Sequence, residues 1–329
     1  MTSVPRSAFV TGGSGFIGSA LIRRLVAEGC RVRALARSET SAAAVAALGA
    51  EAVPGDLSDR AAMQSGAEGC EAAFHLAAHL GMWGDWQDFI AGNVDGTRNA
   101  LEGCRAAGVK RFVHCGTEAA LMSGEPLIGV DETAPLQPDS PAPYPSTKAK
   151  AEQLVRTGSE GEFEAVVVRP RFVWGAGDTT LLPGMAEMVE KGRFAWIGGG
   201  KQKTSVAHVD NVVEGLLLGA ELGRPGAAYF ITDGEDVVFR EFVSEMLATR
   251  GIEAPTRSIP LPIARALRVT GEVLWGTLPL KGEPPLPRFG LWVSSQECTI
   301  DISKARAELG YVPIKSRADG LAEMKAAAA

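Results

Sequence analysis

The stretch TGGSGFIG, residues 11–18, constrains the fold of this chain more than any other feature. It follows a short apolar run that predicts a strand, and it opens a segment with apolar residues at helical spacing that Gly29 ends. A glycine loop in this position lets the backbone approach a pyrophosphate, and the N–H groups of the first helical turn can point at its charge. The stretch therefore predicts a strand–loop–helix unit that could bind a dinucleotide.

The glycine spacing reads G-x-G-x-x-G from Gly13 and G-x-x-G-x-x-G from Gly12. Because the chain has 39 glycines, such a match is weak by itself, and an ordinary tight turn is the alternative. Its position between a predicted strand and a predicted helix strengthens the cofactor interpretation. The candidate cofactor residues of this loop are Gly12, Gly15, Phe16, Ile17 and Gly18.

Strands and helices alternate through the first half of the chain. Repeated strand–helix units predict a parallel sheet with helices on both faces. We therefore predict an α/β fold, a Rossmann-type doubly wound parallel sheet with a smaller, mixed C-terminal substrate lobe. The segments predicted as strands include residues 7–11, 31–36, 71–78, 111–117, 164–172 and 227–232.

The amino-acid composition changes at about residue 171, where the chain becomes rich in glycine, proline and bulky apolar residues. We predict a dinucleotide-binding domain over residues 1–170 and a substrate-binding lobe over residues 171–204 and 233–329. Residues 205–232 are predicted to form a helix and a strand that pack on and join the main sheet.

Charge and cysteine content exclude several classes of protein. A net charge of -6 gives no indication of the broad, positively charged surface that nucleic-acid binding requires. The five cysteines are far apart and include no C-x-x-C pair, so neither a disulfide framework nor a metal site is predicted. Because the sequence shows no signal-peptide pattern and no apolar run of about 18 residues, we predict a cytoplasmic protein.

Arg37 stands where a dinucleotide site places the residue that contacts the adenosine ribose, about 20 positions after the glycine loop. A guanidinium there suits a 2′-phosphate, which predicts NADP as the preferred cofactor, with NAD possible. The alternative is that Arg37 only caps a strand end in solvent. Asp56 and Leu57, in GDL after the third predicted strand, could meet the adenine, although Asp56 could instead cap the next helix.

Tyr144 and Lys148 lie four residues apart in YPSTK, so on a helix they are neighbours. A fixed ammonium favours a phenolate, and an oxidised nicotinamide adds positive charge. We therefore predict that the pKa of Tyr144 is lowered toward neutrality and that its side chain acts as an acid and a base. Thr117, at the carboxyl end of a predicted strand, would hydrogen-bond the substrate oxygen. The alternative is a surface helix on which Tyr144 and Lys148 face water.

Taken together, the motifs resemble the extended short-chain dehydrogenase/reductase superfamily over nearly the whole chain. The resemblance implies that Thr117, Tyr144 and Lys148 are catalytic and that Asn93 supports the lysine through a water. It also places the backbone of Ala77 and Ala78, together with Pro170, beside the cofactor. The motifs are TGGSGFIG, GDL, HLAA, NVDGT, FVHCGT, YPSTKAKAE, VVVRPRFVWGAGD, VAHVDNVVEG and YFITD.

One departure from the superfamily pattern lies before Thr117, where Cys115 and Gly116 replace the usual pair of serines. The next residue, Glu118, is an unusual charged neighbour. Glu118 could reach the substrate or could only face solvent.

Within the superfamily, the stretches AHLGMWGDWQDFIAGNVDGT and YFITDGEDVVFREF are similar to the 3β-hydroxysteroid dehydrogenase branch, which includes 2-alkyl-3-ketoalkanoate reductases. This implies a 3-hydroxy or 3-keto group on a hydrophobic substrate such as a sterol or a 2-alkyl-3-ketoacid. A nucleotide-sugar epimerase or dehydratase and a non-catalytic NADPH-binding sensor are the alternatives. The candidate substrate residues, whose aromatic members could instead form a core, are Met82, Trp83, Glu118, Arg171 and Trp174.

Residues 260–290 mix basic and apolar residues in a helical register. Such a segment could lie on a membrane surface, cover the substrate entrance or pack on a partner subunit. By analogy with the superfamily, we expect a homodimer.

Overall fold

The computed structural model describes residues 4–328 and is built on a seven-stranded sheet. The strand order is β12-β7-β5-β4-β1-β2-β3, and every hydrogen-bonded pair in it is parallel. The chain therefore has the predicted Rossmann-type α/β fold. The strands are β1 (Ser7–Thr11), β2 (Arg31–Ala36), β3 (Glu51–Pro54), β4 (Ala72–His75), β5 (Arg111–Cys115), β6 (Leu127–Val130), β7 (Glu164–Pro170), β8 (Val173–Trp174), β9 (Trp196–Ile197), β10 (Lys203–Ser205), β11 (Ala207–His208), β12 (Ala228–Ile231), β13 (Asp236–Val238), β14 (Ser258–Ile259) and β15 (Cys298–Ile300).

Helices cover both faces of this sheet. The helices are α1 (Phe16–Ala27), α2 (Glu39–Ala47), α3 (Arg60–Ala67), α4 (Trp86–Phe89), α5 (Gly96–Ala106), α6 (Pro143–Arg156), α7 (Leu181–Glu190), α8 (Val209–Leu222), α9 (Phe239–Ala248), α10 (Leu261–Thr277), α11 (Arg288–Ser295), α12 (Ser303–Leu309) and α13 (Arg317–Ala328). Two 3-10 turns, Glu118–Leu121 and Gly198–Gly200, and a π-helical turn, Ile90–Asp95, lie between them.

The central strands are apolar without alternation because helices bury both of their faces. Every residue of β1 and β4 is buried. Gly18, Leu21, Ile22 and Leu25, which share one stripe of α1, are buried as well. Burial of each large apolar side chain contributes about 1.5–3 kcal/mol to the free energy of unfolding.

The order in which successive strands are added to the sheet reverses between β1 and β4. Strands β2 and β3 lie on one side of β1, and β4 with β5 lies on the other. Ligands of open α/β sheets bind outside the carboxyl ends of the strands at such a point. The ends of β1, β4 and β5 therefore mark the place where a site is expected.

The smaller lobe contains a second sheet with strand order β13-β10-β15-β6, in which only the β10–β13 pair is antiparallel. Its strand β6 comes from the first half of the chain. Conversely, α8 packs on β5 and β7, and β12 joins the large sheet beside β7. The two sheets are thus assembled from interleaved parts of the chain.

Helix α10 has a largely exposed surface. Only Ala264 and Gly271 of its 17 residues are buried. No helix among residues 4–328 is long and apolar enough to cross a membrane. The exposed apolar residues of α10 and the segment after it are Ile263, Leu267, Val269, Val273, Leu274, Leu278 and Leu280.

Candidate active site

The glycine loop after β1 is shaped so that side chains are excluded from it. Gly12 has φ +73°, and a Cβ atom there would lie 2.6 Å from the backbone nitrogen of Ala77. A Cβ on Gly18 would lie 2.1 Å from the carbonyl oxygen of Gly12. The N-cap of α1 is Gly15, which has no side chain to bind the N–H groups of the first turn. This loop fits a bound pyrophosphate, with Phe16 and Ile17 half-buried at its rim.

The ends of β1 and β4 are tied together by side-chain hydrogen bonds. His75 joins Thr11, at 2.7 Å, to Thr97, at 3.0 Å. The Ala77 backbone N–H donates to the Thr11 hydroxyl at 3.3 Å. The backbone of Ala77, and of Ala78 after it, therefore lies beside the glycine loop, where the sequence predicts a cofactor contact.

The adenosine end of the predicted cofactor site is open. Arg37 is exposed, and its guanidinium has no hydrogen-bond or ion-pair partner within residues 4–328. Asp56 accepts hydrogen bonds from the Ser58 backbone, at 2.8 Å, and hydroxyl, at 2.6 Å. These bonds, with a smaller contribution from the Arg37 charge, lower the pKa of Asp56. The half-buried Leu57 follows it.

The alternative that Asp56 caps the next helix is wrong. The N-cap of α3 is Asp59, whose carboxylate accepts from the Ala62 N–H at 2.9 Å. Asp56 instead closes a local turn with Ser58. A carboxylate can accept from the backbone N–H and the hydroxyl of a serine two residues later, and these local bonds favour a turn over an N-cap of the helix.

Tyr144 and Lys148 share one face of α6. Pro143 occupies the first helical position and Pro145 the first turn, where no N–H partner is lost. Lys148 is 3% exposed, and its ammonium donates to the Cys115 carbonyl at 3.0 Å. The alternative of a surface helix is therefore wrong for Lys148.

His114, which the sequence analysis missed, is a further partner of Lys148. Its Nε2 atom lies 3.4 Å from the Lys148 ammonium. Burial, together with the charge of Lys148, holds the pKa of His114 well below its usual value, so the imidazole is neutral. Burial also lowers the pKa of Lys148. The only sequence signal for this contact is the position of His114 at the end of a buried strand.

Asn93 lies inside the π-helical turn before α5 and does not cap that helix. Its side-chain oxygen accepts from the His79 N–H at 2.7 Å, and its amide donates to the Thr147 hydroxyl at 3.0 Å. Asn93 therefore fixes the loop after β4 against α6, one residue before Lys148. π-helical turns inside α-helices are frequent at functional sites.

Thr117 follows β5 and lies close enough to Tyr144 to lower the pKa of the phenol. The Thr117 hydroxyl accepts from the Ala119 N–H at 3.2 Å and donates to a Glu118 carboxylate oxygen at 2.8 Å. The hydroxyl proton is therefore already engaged. The hydrogen bond from Thr117 to a substrate oxygen stays a prediction.

Glu118 does not face solvent. It is buried and forms an ion pair of 2.5 Å with Arg171, which is buried as well. The alternative that Glu118 faces solvent is therefore wrong, whereas substrate contacts of Glu118 and Arg171 stay predictions. The two residues are 53 positions apart in the chain, and the sequence carries no signal that they pair.

The protein alone shifts the pKa of Tyr144 upward, opposite to the prediction. The first cause is burial of the phenol, and the second is the charge of Glu118. The spacing of Tyr144 and Lys148 in the sequence reveals the positive charge of Lys148, but no local pattern reveals the negative charge of Glu118. The ring of Tyr144 packs against Phe289 of α11, 5.4 Å between centroids, so the smaller lobe covers it.

The other predicted residues are divided between the site and the core. Met82 is exposed and Trp83 is half-buried in the loop after β4. Pro170 is buried at the end of β7. Trp174 is fully buried, and its indole N–H donates to Asp233 at 2.8 Å. The prediction that Trp174 binds substrate is therefore wrong, because its ring belongs to the core of the smaller lobe.

One group of residues resembles a metal site. Ligand atoms of His208, Asp210 and Glu323 lie within 4.8 Å of one another. The ammonium of Lys315 forms ion pairs with both carboxylates. A cation of the protein thus already occupies the position that a metal would take.

Two surface clefts lie away from Tyr144. One lies between the segment after β6 and α12, and the other lies between the loop after β8 and α13. Neither is lined by a residue that the sequence analysis assigns to catalysis, cofactor or substrate.

Comparison with known proteins agrees with this geometry. The model of the 3-beta hydroxysteroid dehydrogenase/isomerase family matches residues 9–263. A ketoreductase from Stigmatella aurantiaca that acts on 4-hydroxy-2-methyl-3-oxo-4-farnesyl-3,4-dihydroquinoline-1-oxide is 44% identical, over 97% of this chain and 96% of that protein. The 2-alkyl-3-oxoalkanoate reductase of Stenotrophomonas maltophilia is 38% identical, over 97% of this chain and 98% of that protein.

Among solved structures, a dTDP-glucose 4,6-dehydratase from Streptomyces venezuelae with bound NAD superimposes with a TM-score of 0.76. It is 24% identical and covers 97% of this chain and 96% of its own. At that identity the similarity concerns the fold.

Proposed function

Because the chain belongs to the 3-beta hydroxysteroid dehydrogenase/isomerase family and is an NAD(P)-dependent oxidoreductase, we propose that it interconverts a secondary alcohol and a ketone on a hydrophobic substrate. The substrate class we propose carries a 3-hydroxy or 3-keto group, as in a sterol or a 2-alkyl-3-ketoacid. The names of the two relatives support a ketone as the reacting group.

The observation that carries this proposal is the convergence of three side chains on one strand end. Lys148 of α6 donates to the Cys115 carbonyl at the end of β5, and Tyr144 lies one turn earlier on the same helix, which packs against the 3-10 turn after Thr117. Strand β5 is paired with β4, whose following loop lies against Gly12. An acid and a cation thus stand beside the loop that would hold a dinucleotide.

Each side chain has a proposed part in the reaction. A nicotinamide, when bound, supplies or accepts the hydride. Tyr144 gives a proton to the ketone oxygen during reduction and takes it back during alcohol oxidation. Lys148, which is fixed by the Cys115 carbonyl, places a positive charge beside the helix face of Tyr144 and stabilises the phenolate that remains.

The character of the covering residues supports a hydrophobic substrate. Phe289 packs on Tyr144, and Met82 and Trp83 lie in the loop that follows β4. A nucleotide-sugar enzyme needs cations for a diphosphate. Arg171 is buried against Glu118 and is therefore not free for that task.

Oxidation of NADPH and NADH with a panel of ketones tests the proposed function. We expect turnover with a sterol ketone or a 2-alkyl-3-ketoacid and none with dTDP-glucose or UDP-glucose. Conversion of the nucleotide-sugars alone would establish the epimerase or dehydratase alternative; it must be followed by analysis of the sugar products, because these reactions return the hydride to the substrate and consume no reduced cofactor overall. Tight NADPH binding with no turnover of any panel member would favour the sensor.

We further propose that NADP is the preferred cofactor and that Arg37 selects it. Its guanidinium is exposed and unpaired within the described chain, so it can meet a 2′-phosphate without losing a protein partner. Replacing Arg37 by Ala should raise the KM for NADPH about tenfold or more, which corresponds to one charge-assisted contact of roughly 1.4 kcal/mol. The KM for NADH should change little.

Arg33, an arginine of β2, provides the matched control, because its side chain donates to the Ser65 carbonyl and forms an ion pair with Glu51. Arg33→Ala should leave the ratio of the two KM values unchanged. Equal loss of NADPH and NADH affinity in Arg37→Ala, or faster turnover of the wild type with NADH, would contradict the assignment.

A further inference from the structure

Helix α10 presents its large apolar side chains to solvent and its small residues to the rest of the protein. Its buried residues are Ala264 and Gly271, seven positions apart. Ala264 packs in a cluster with Ile197 and Leu291, and a Cβ atom on Gly271 would lie 3.3 Å from Pro284. A surface helix of a globular protein normally turns its large apolar residues toward the core, so the arrangement of α10 is inverted.

The large exposed residues of α10 form one continuous surface, which we call the apolar face of α10. Ile263, Leu267 and Leu274 stand at positions i, i+4 and i+11, so they share one stripe of the helix. Val269 and Val273 lie beside this stripe, and all five side chains are between 45% and 56% exposed. A helix of 17 residues is about 25 Å long, so the face is an extended patch of the kind that marks an interaction site.

Basic residues flank the apolar face. Arg265 lies at its edge on the helix, Arg257 lies shortly before the helix and Lys281 shortly after it. All three are exposed, and none has a hydrogen-bond or ion-pair partner for its side chain within residues 4–328. Residues 257–290 hold five basic and two acidic residues, whereas the whole chain has 33 basic and 39 acidic residues. The region of the apolar face is therefore basic in an acidic protein.

The two acidic residues of this region do not cancel its positive charge. The Glu272 carboxylate is shared by two cations, since it forms ion pairs with Arg268 at 2.7 Å and with Arg288 at 2.9 Å. This group of three side chains keeps one positive charge. The other acid, Glu283, is exposed in the segment between α10 and α11.

We propose that the apolar face of α10 docks the protein on the surface of an anionic lipid bilayer. A helix of this kind lies in the plane of the membrane with its apolar side chains at the boundary of the acyl chains, and the basic residues beside it attract anionic headgroups. A second copy of the chain fits this face less well. Symmetric pairing of two such faces would bring the unpaired cations of both copies together, and like charges oppose association.

Docking through α10 brings the cover of the candidate active site close to the bilayer. Helix α10 contacts α11, and Phe289 of α11 packs on Tyr144. A hydrophobic substrate, which dissolves in the bilayer more readily than in water, would then be supplied from the membrane. This consequence for the substrate rests on the proposed function, whereas the docking itself does not.

Sedimentation of the full chain with lipid vesicles tests the proposal without cofactor or substrate. We expect binding to vesicles of phosphatidylcholine and phosphatidylserine in equal amounts, about tenfold weaker binding to phosphatidylcholine alone, and weaker binding at high salt. Leu267→Gln/Leu274→Gln should weaken binding to the mixed vesicles about tenfold or more, because two apolar side chains no longer enter the bilayer. Both leucines are about half exposed, so the fold should be kept.

Val312 and Ile314 provide the matched control for the loss of apolar side chains. They are 67% and 52% exposed but lie between α12 and α13. Val312→Gln/Ile314→Gln should leave vesicle binding unchanged.

The basic residues are tested separately. Arg265→Gln/Lys281→Gln should weaken binding to the mixed vesicles about tenfold and reduce its salt dependence, with little effect on binding to phosphatidylcholine alone. Arg23→Gln/Lys325→Gln makes the same change in net charge at exposed positions of α1 and α13, and it should bind as the wild type does. The charge variant alters only exposed side chains, so it keeps the test decisive if the leucine variant does not fold.

The outcomes separate this proposal from the proposed function. A wild type that does not bind the mixed vesicles, or an equal loss of binding in Val312→Gln/Ile314→Gln, overturns it even where the protein reduces ketones. Dissociation of a wild-type dimer in Leu267→Gln/Leu274→Gln, measured by analytical ultracentrifugation without lipid, overturns it in favour of an interface between two copies. Loss of vesicle binding with an unchanged oligomeric state supports it even where no panel substrate is turned over.

Discussion

Replacement of Tyr144 by Phe should lower kcat for ketone reduction by a factor of about 10²–10⁴, the usual contribution of a positioned general acid. The variant lacks only the hydroxyl, and its ring can still pack against Phe289. Affinity for NADPH, measured by quenching of protein fluorescence, should change less than about twofold because the phenol contributes little to a site formed mainly by the glycine loop.

Tyr229 offers the matched control for this substitution. Its hydroxyl donates to Glu308 at 2.8 Å and belongs to the far edge of the sheet, on β12. Tyr229→Phe should cost some stability and leave kcat unchanged. Full activity in Tyr144→Phe would refute the assignment of the proton donor and, with it, the proposed mechanism.

Replacement of Gly18 by Ala should have the second large effect, on cofactor binding. The added methyl would lie 2.1 Å from the Gly12 carbonyl oxygen, so α1 and the loop must move apart. Such overpacking costs about 1–3 kcal/mol of unfolding free energy. Because the same movement shifts the N–H groups that would hold a pyrophosphate, NADPH affinity should fall by roughly 100-fold, or about 2.7 kcal/mol.

Gly276, in α10, is the control, since a methyl there meets no atom within 4 Å. Gly276→Ala should keep both the affinity for NADPH and the thermal midpoint, or raise the latter slightly, because alanine favours a helix. Wild-type affinity in Gly18→Ala would show that the loop does not bind the dinucleotide.

The sheet of the nucleotide-binding part was predictable because its signals are local. Strand β2 has the bounds that its apolar run predicts, and β1 ends at the glycine loop as expected. Buried parallel strands are apolar throughout, and α1 shows the helical spacing of one buried stripe. Each of these patterns is complete within about a dozen residues of sequence.

The smaller sheet could not be predicted in the same way. Residues Leu127 and Val130 of β6 pair with Cys298 and Ile300 of β15, at the other end of the chain. Strands of three or four residues carry too little periodicity to be recognised, and their pairing depends on contacts that the chain order does not reveal. The burial of Trp174 has the same origin, since a tryptophan in a glycine-rich segment suits a pocket and a core equally.

The sequence by itself determined the Rossmann-type sheet and the glycine loop, and it identified Thr117, Tyr144 and Lys148 as the candidate catalytic group. These features could be predicted because the spacing along one loop or one helical turn decides which side chains are neighbours. Only the tertiary structure decided the electrostatics of that group. The packing of two strand ends brings Glu118 and Arg171 together. Burial of the Tyr144 phenol, and then the charge of Glu118, raise the pKa of Tyr144, opposite to the direction predicted from Lys148 alone. Charge effects depend on distance and solvent exclusion, and neither is written in local sequence.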